Sequence, residues 1–226
     1  MPYSKKYNFI HVAIPKTGTT SLAHALKEAD PELCLLSEHV TAQYREKYNL
    51  NEINDRRPGR AKHLSALQIK YILGEEIFTQ CFKFSIVRNP WARLVTRYFF
   101  THVDNEPSDE VKARKGTTRS FHDLDFDTWI RRYADNRKNR QNSQLRKLVD
   151  RDGNLLVDYV GRLENFQESF DHICDRIGIP RSQIPHVNGT CKKGHYSQYY
   201  TPETRALVEQ ACSEDIAYFE FEFEQK

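Results

Sequence analysis

An α/β fold is predicted, a three-layer sandwich on a central parallel sheet. Three observations point to it. Short apolar strands alternate with amphipathic helices along the chain. The strand–turn–helix junction of residues 9–22 recurs at residues 82–100. No internal repeat, low-complexity tract or linker interrupts the 226 residues, so a single domain over 1–226 is expected.

Phe9, Ile10, Val12, Ala13 and Ile14 form the apolar run of a strand covered on both faces. Pro15 ends it, and Gly18 supplies a position free to take positive φ. Thr19, Thr20 and Ser21 offer cap hydroxyls, after which Leu22, Ala25, Leu26 and Ala29 recur at helical spacing. Leu33–Leu36 reads as a second short strand, and the polar 38–62, with its basic turn Arg56–Arg60, as a helix followed by a surface excursion. His63-Leu64-Ser65 precedes a helix whose Leu67, Ile69, Tyr71 and Ile72 should face inward and which Gly74 ends.

Phe82–Val87 is the next core strand. It runs through Arg88-Asn89 into a helix with Pro90 in its first turn and Trp91, Leu94, Val95, Tyr98 and Phe99 on one face. Residues 105–123 are polar and read as a long loop or lid. Phe126, Trp129, Ile130 and Tyr133 mark another amphipathic helix. It opens a basic run (Arg131, Arg132, Arg137, Lys138, Arg140, Arg146, Lys147) that is either a solvated helix face or an anion-facing wall. Asp152-Gly153 turns into a strand over Leu155–Val160. Glu164-Asn165 begins a helix carrying Phe166, Phe170, Ile173, Cys174 and Ile177, stopped by Gly178 and Pro180. Residues 188–197 form a basic, glycine-containing loop. Thr201 as N-cap and Pro202 at N1 start a last helix through Leu207, Val208, Ala211, Ile216 and Phe219.

Composition narrows the function classes. A net charge of +3 is too small to argue for nucleic acid as a partner. Five widely spaced cysteines without a C-x-x-C pair or a Cys/His cluster suggest neither a disulfide framework nor a zinc site, so a reducing compartment and no metal are expected. The first residues lack a signal-peptide apolar segment, and no run of about 18 apolar residues occurs. A cytoplasmic protein with no membrane span is expected.

The chemistry gathers at two points. After the first strand, backbone N–H groups, a helix N-terminus and the Lys16 ammonium converge, which makes an anion site suited to phosphate. A nucleoside-triphosphate loop requires G-x-x-x-x-G-K-[ST], whereas here the lysine precedes the glycine by two residues. A second anion site follows if Arg88, at the end of a core strand, and Thr96, two helical turns on, reach one phosphate; a guanidinium fork suits two phosphate oxygens. Taken singly, each feature can also be an ordinary strand–turn–helix junction or a strand-end Arg–carboxylate pair.

Together, P-K-T-G-T-T-S at 15–21 and V-R-N-P-W-A-R-L-V-T-R-Y at 87–98 resemble the paired nucleotide motifs of sulfotransferases. These enzymes use 3′-phosphoadenosine 5′-phosphosulfate (PAPS) and have a P-loop-like fold. G-R-L-E-N-F at 161–166 and Y-Y-T-P-E-T at 199–204 extend the likeness, which is to bacterial members of the carbohydrate and glycosaminoglycan branch related to the 2-O-sulfotransferases. Thr96 stands where that family commonly has serine. The resemblance implies that Lys16, Thr17, Gly18, Thr19, Thr20 and Ser21 hold the 5′-phosphosulfate. It implies Arg88 and Thr96 on the 3′-phosphate, and Lys193-Gly194 in a loop closing over the nucleotide. Lys16 would also neutralise charge on the leaving oxygen, and His63, in its H-L-S segment, would be the general base, with His102 and His195 in reserve. The implied acceptor is a carbohydrate or small-molecule hydroxyl, selected by 38–62 and 104–125, with Phe121, Trp129, Tyr133, Arg137 and Arg140 as cleft-lining residues. Two rival readings stand: a non-catalytic anion or glycan-binding module, and a kinase-like P-loop protein.

Overall fold

The computed structural model describes residues 2–35, 63–102, 124–135, 143–185 and 194–226. In chain order the regular elements are β1 (Pro2–Ser4), β2 (Phe9–His11), α1 (Thr19–Ala29), β3 (Cys34–Leu35), α2 (Ala66–Leu73), α3 (Glu75–Gln80), β4 (Phe82–Val87), α4 (Pro90–His102), α5 (Phe126–Asp135), β5 (Tyr159–Arg162), α6 (Phe166–Ile177), α7 (Pro202–Ala211) and α8 (Ser213–Phe219). They fall into two compact units, Met1–Arg88 with Gln144–Gly189, and Asn89–Ser143 with Thr190–Lys226.

The first unit holds a five-stranded sheet in the order β3-β1-β2-β4-β5. β2, β4 and β5 are mutually parallel, with His11 opposite Phe84 and Ile86 opposite Gly161. This is the expected parallel core. β1, not expected from the sequence, is antiparallel to both β2 and β3. Three residues are too few to show a period, so nothing but its polar flanks was visible in the sequence. The strand expected over Leu155–Val160 lies further on. Leu155 instead bridges Val149 across the Asp150–Asn154 turn, and pairing with β4 begins at Tyr159. Asp150 holds that turn by accepting from the N–H groups of Asp152 and Asn154.

Strand alternation sends Phe9, Phe84 and Ile86 to one face, where Leu22 and Leu26 of α1 and Phe170, Ile173 and Ile177 of α6 close over them. On the opposite face the Lys83 ammonium lies 5.4 Å from the ring centre of Phe78 in α3 and pairs with Asp158 at 2.9 Å. The three layers follow. α2 forms as expected between a Ser65 capping box and Gly74, but its inward residues are Ala66 and Ile69, and Tyr71 is 47% exposed. The 66–73 stretch is apolar on nearly every side, so its periodicity did not select a face.

In the second unit α4 and α5 bury Trp91, Leu94, Val95, Phe126, Trp129, Ile130 and Tyr133. Tyr98 packs edge-on against both Phe126 and Trp129. The Thr201 capping box and Pro202 start α7 as the sequence indicates. The helix expected to run on to Phe219 instead breaks at Cys212, and α8 follows. Among the described residues no helix is long and apolar enough to cross a membrane.

Candidate active site

β2 and β4 are adjacent and parallel, and the sheet order reverses between them: α1 leads from β2 back towards β3, whereas β5 lies on the far side of β4. Ligands of open α/β sheets bind outside the carboxyl ends of strands at such a reversal. Lys16 follows β2 there, and Arg88 follows β4. Their proximity is direct, the Arg88 guanidinium donating to the Lys16 carbonyl at 3.4 Å.

The Lys16 loop is built to expose backbone N–H groups. Lys16 and Gly18 both have left-handed backbone, φ +67 and +75. Thr17 between them is buried, and its hydroxyl donates to the Ile14 carbonyl at 2.9 Å, closing the turn. Gly18 is required twice over. Besides its positive φ, a Cβ would come within 2.8 Å of Leu163 and Phe166. Gly161 is equally confined, since a Cβ there would meet Ile86 and Ser169 at 2.7 Å. The G-R-L-E-N-F segment thus forms the wall behind the loop.

The expected hydroxyl cap of α1 is not found. Gly18 itself is the N-cap, so the cap residue offers no side-chain hydrogen bond, and the first turn carries no acidic residue. Thr19 and Ser21 are buried and Thr20 is half-buried. A helix N-terminus with glycine at its cap and no acid in its first turn, beside a half-buried lysine, fits a bound anion. That is the fit required of the residues expected to hold the 5′-phosphosulfate.

His63 is half-buried, and its Nδ1 lies 3.1 Å from the Ala13 carbonyl oxygen. A carbonyl only accepts, so Nδ1 carries the proton and Nε2 is left with the lone pair. The short 3₁₀ turn Leu145–Lys147, with Gln144 at its N-cap, reaches both Arg88 and His63. The Gln144 side chain, 0% exposed, accepts from the Arg88 N–H at 2.9 Å and donates to the Arg88 carbonyl at 2.8 Å. The Lys147 ammonium donates to the His63 carbonyl at 2.8 Å. A glutamine inside a run of arginines and lysines carries no sequence signal of this kind.

One further group lies next to the loop. His11, at the end of β2, is 0% exposed and stacks on Phe84 at 5.3 Å and 8°. Neither of its ring nitrogens has a hydrogen-bond partner. Burial, with smaller contributions from nearby positive charge including that of His63, lowers its pKa to about 3.

Lys16, Thr17, Gly18, Thr19, Thr20, Ser21, His63 and Arg88 therefore all belong to the first unit. Thr96, half-buried on α4, and Gly194, with φ +72, belong to the second. Lys193 lies outside the described residues, as do Phe121, Arg137, Arg140 and the segment 38–62. Of 104–125, only Leu124 and Asp125 are described. His195 is a capping residue, its Nδ1 accepting from the Ser197 N–H at 3.4 Å, and His102 is the last residue of α4. Trp129 and Tyr133 do not line a cleft: they stack on each other at 5.5 Å, with 8% and 6% exposure. Their period-3.6 spacing served the core. Arg131 pairs with Asp127 and Glu203 on the surface, each at 2.8 Å, as a solvated helix face would. Among the described residues no group of three or more His, Cys, Asp or Glu is arranged for a metal ion.

Comparison with known proteins agrees with this arrangement. An uncharacterised protein of Archaeoglobus fulgidus is 24% identical over 131 residues, which are 55% of this chain and 91% of that protein. A model of the sulfotransferase family matches residues 2–222. The match takes in the Lys16 loop, the Arg88 strand end and the 161–166 wall alike: the chain belongs to the sulfotransferase family and is a sulfuryl-transferring enzyme.

Proposed function

We propose that the protein transfers a sulfuryl group from PAPS to a carbohydrate or small-molecule hydroxyl, with His63 as general base. The observation that carries this reading is the pairing of the α1 N-terminus and Lys16 with Arg88 at the ends of adjacent parallel strands. Two anion-binding groups a few ångströms apart suit a nucleotide phosphorylated at both 5′ and 3′ positions. In this reading Thr96, Lys193 and Gly194 are further candidate nucleotide ligands, and residues 1–226 make up one sulfotransferase domain. The Gly-Arg-Leu-Glu-Asn-Phe wall favours the 2-O-sulfotransferase-like branch.

When bound, PAPS supplies the sulfuryl group and a 5′-phosphate as leaving group. The loop N–H groups from Thr17 to Ser21 hold the phosphosulfate oxygens, with no rearrangement needed because Lys16 and Gly18 already have left-handed backbone. Lys16 neutralises the charge that builds on the leaving oxygen. Arg88 grips the 3′-phosphate and thereby selects against nucleotides lacking it. His63, with its proton on Nδ1, presents the Nε2 lone pair to the acceptor hydroxyl and removes its proton. Positioning and charge stabilisation supply most of the rate.

The test is a thermal melt with 3′-phosphoadenosine 5′-phosphate beside AMP and ATP plus Mg²⁺. A ligand at about a hundred times its Kd adds about 2.7 kcal/mol, which for a chain of this length raises the midpoint by roughly 5–10 °C. A rise confined to the 3′-phosphorylated nucleotide supports the assignment. No rise with any nucleotide refutes it, and a larger rise with ATP plus Mg²⁺ transfers the site to nucleoside-triphosphate chemistry.

A further inference from the structure

The turn at residues 144–148 is a place where the fold does more than connect elements. Gln144 and Leu148 are both 0% exposed and anchor it in the first unit. Between them the chain makes a single 3₁₀ turn, closed by bonds from the N–H of Lys147 to the Gln144 carbonyl and from that of Leu148 to the Leu145 carbonyl. Two side chains three residues apart leave this turn in fixed directions. One ends on both backbone polar groups of Arg88, the other on the backbone carbonyl of His63.

Neither contact is needed to complete a secondary-structure ladder. Arg88 lies just past the end of β4, where its N–H and C=O have left the sheet. A buried primary amide can satisfy both groups at once, accepting with Oε1 and donating with Nε2. It thereby sets the direction in which the Arg88 guanidinium leaves the strand. His63 stands two residues ahead of the α2 cap at Ser65. Lys147 pins its carbonyl, and the imidazole then reaches the Ala13 carbonyl through Nδ1.

We propose that the 144–148 turn is the alignment device of the reaction, with Gln144 the positioning residue for Arg88 and Lys147 the positioning residue for His63. This rests on the reading of Arg88 as the 3′-phosphate ligand and of His63 as the base. Because one rigid turn carries both side chains, the nucleotide grip and the base are held in register. Proper spacing between donor and acceptor subsites is then a property of the fold and does not depend on the acceptor being bound. The two halves are separable: Gln144 governs nucleotide affinity, and Lys147 governs the tautomer and orientation of the base.

The experiment compares the wild type with Gln144→Met, Arg88→Ala, Lys147→Met and Lys147→Arg, each first checked for a cooperative melt. Calorimetry with 3′-phosphoadenosine 5′-phosphate and with AMP reads the first half. Gln144→Met should weaken the 3′-phosphorylated nucleotide about tenfold, the equivalent of one lost charge-assisted contact, and AMP by less than about twofold on the same scale. Nitrogen-15 NMR of the His63 ring above neutral pH reads the second half. The wild type should show the Nδ1–H tautomer, Lys147→Met a mixture with Nε2–H, and Lys147→Arg a return to Nδ1–H.

If Arg88→Ala leaves affinity unchanged, the phosphate-ligand reading has failed. If Arg88→Ala weakens binding and Gln144→Met does not, the positioning role of Gln144 is overturned while that reading stands. A wild-type His63 without the Nδ1–H tautomer removes the basis for its orientation as the base. A Lys147→Met protein that keeps the tautomer overturns the role of Lys147. Lys147→Met alters a half-exposed side chain, so this arm stands even if Gln144→Met does not fold.

Discussion

Replacing His11 with leucine should make the protein less sensitive to acid. In the folded chain the imidazole is 0% exposed, without a partner for either nitrogen, and burial lowers its pKa to about 3. In the unfolded chain it titrates near the ordinary value of about 6.5. Between these values the unfolded state binds one more proton than the folded state, so stability is complete above about pH 6.5 and falls as the pH drops towards 3. The slope is about 1.36 kcal/mol per unit, and from pH 7.5 to pH 5.0 the His11 contribution is about 2 kcal/mol. Leucine has nearly the same volume and does not titrate. At pH 7.5 it loses the stacking on Phe84, worth about 0.5–1.5 kcal/mol, and removes two unsatisfied nitrogens, each a penalty of about 1–3 kcal/mol. Stability there should therefore equal or exceed that of the wild type. Denaturant unfolding of both proteins at the two pH values gives the difference directly, because the other eight histidines are common to both. The wild type should lose about 2 kcal/mol more than His11→Leu. Parallel losses would show that His11 is protonated or hydrated in the folded protein, and the reasoning would be wrong.

Removing the base, His63→Ala, should lower turnover about 10²-fold or more while the melting response to 3′-phosphoadenosine 5′-phosphate is kept; near-normal turnover would assign the proton transfer elsewhere. Gly18→Ala combines an unfavourable left-handed backbone with contacts at 2.8 Å to Leu163 and Phe166. It should cost about 2 kcal/mol or more, lowering the midpoint by roughly 4–8 °C, and a midpoint within a degree of the wild type would contradict that packing. Burial is the first cause raising the thiol pKa of Cys81, of Cys174 to about 11 and of Cys212 to about 12. These three should therefore resist a thiol reagent at pH 8 until denaturant is added, and rapid labelling of the native protein at Cys212 would refute it.

Those parts of the molecule that depend on local pattern were legible in the sequence. The Phe82–Val87 strand, the Gly74 and Gly178 stops and the Thr201-Pro202 start appear as read, because each is fixed by residues within a few positions, whereas the strand read over Phe9–Ile14 ends at His11. What escaped depended on distant partners. β1 exists because β2 and β3 flank it, and Leu155 bridges Val149 and does not pair with β4. At the site, Lys16, Gly18 and Arg88 were recognisable by residue type and spacing. Gln144 was not, since its role comes from an Arg88 backbone 56 residues away. The aromatic spacing of Trp129 and Tyr133 was visible but ambiguous, serving a core or a cleft equally well until their burial was known.

The contact between Gly18 and Phe166 also sets a timetable for biosynthesis. The two residues are 148 positions apart, and at about 5–20 residues per second a ribosome takes roughly 7–30 s to make the chain between them. Throughout that interval the Lys16 loop has no wall behind it, and Phe9, Leu22 and Leu26 lack the α6 residues that later cover them. Codon usage or a chaperone acting before residue 166 emerges would therefore influence the yield of competent enzyme, whereas the same intervention after α6 has docked would find the nucleotide loop already set.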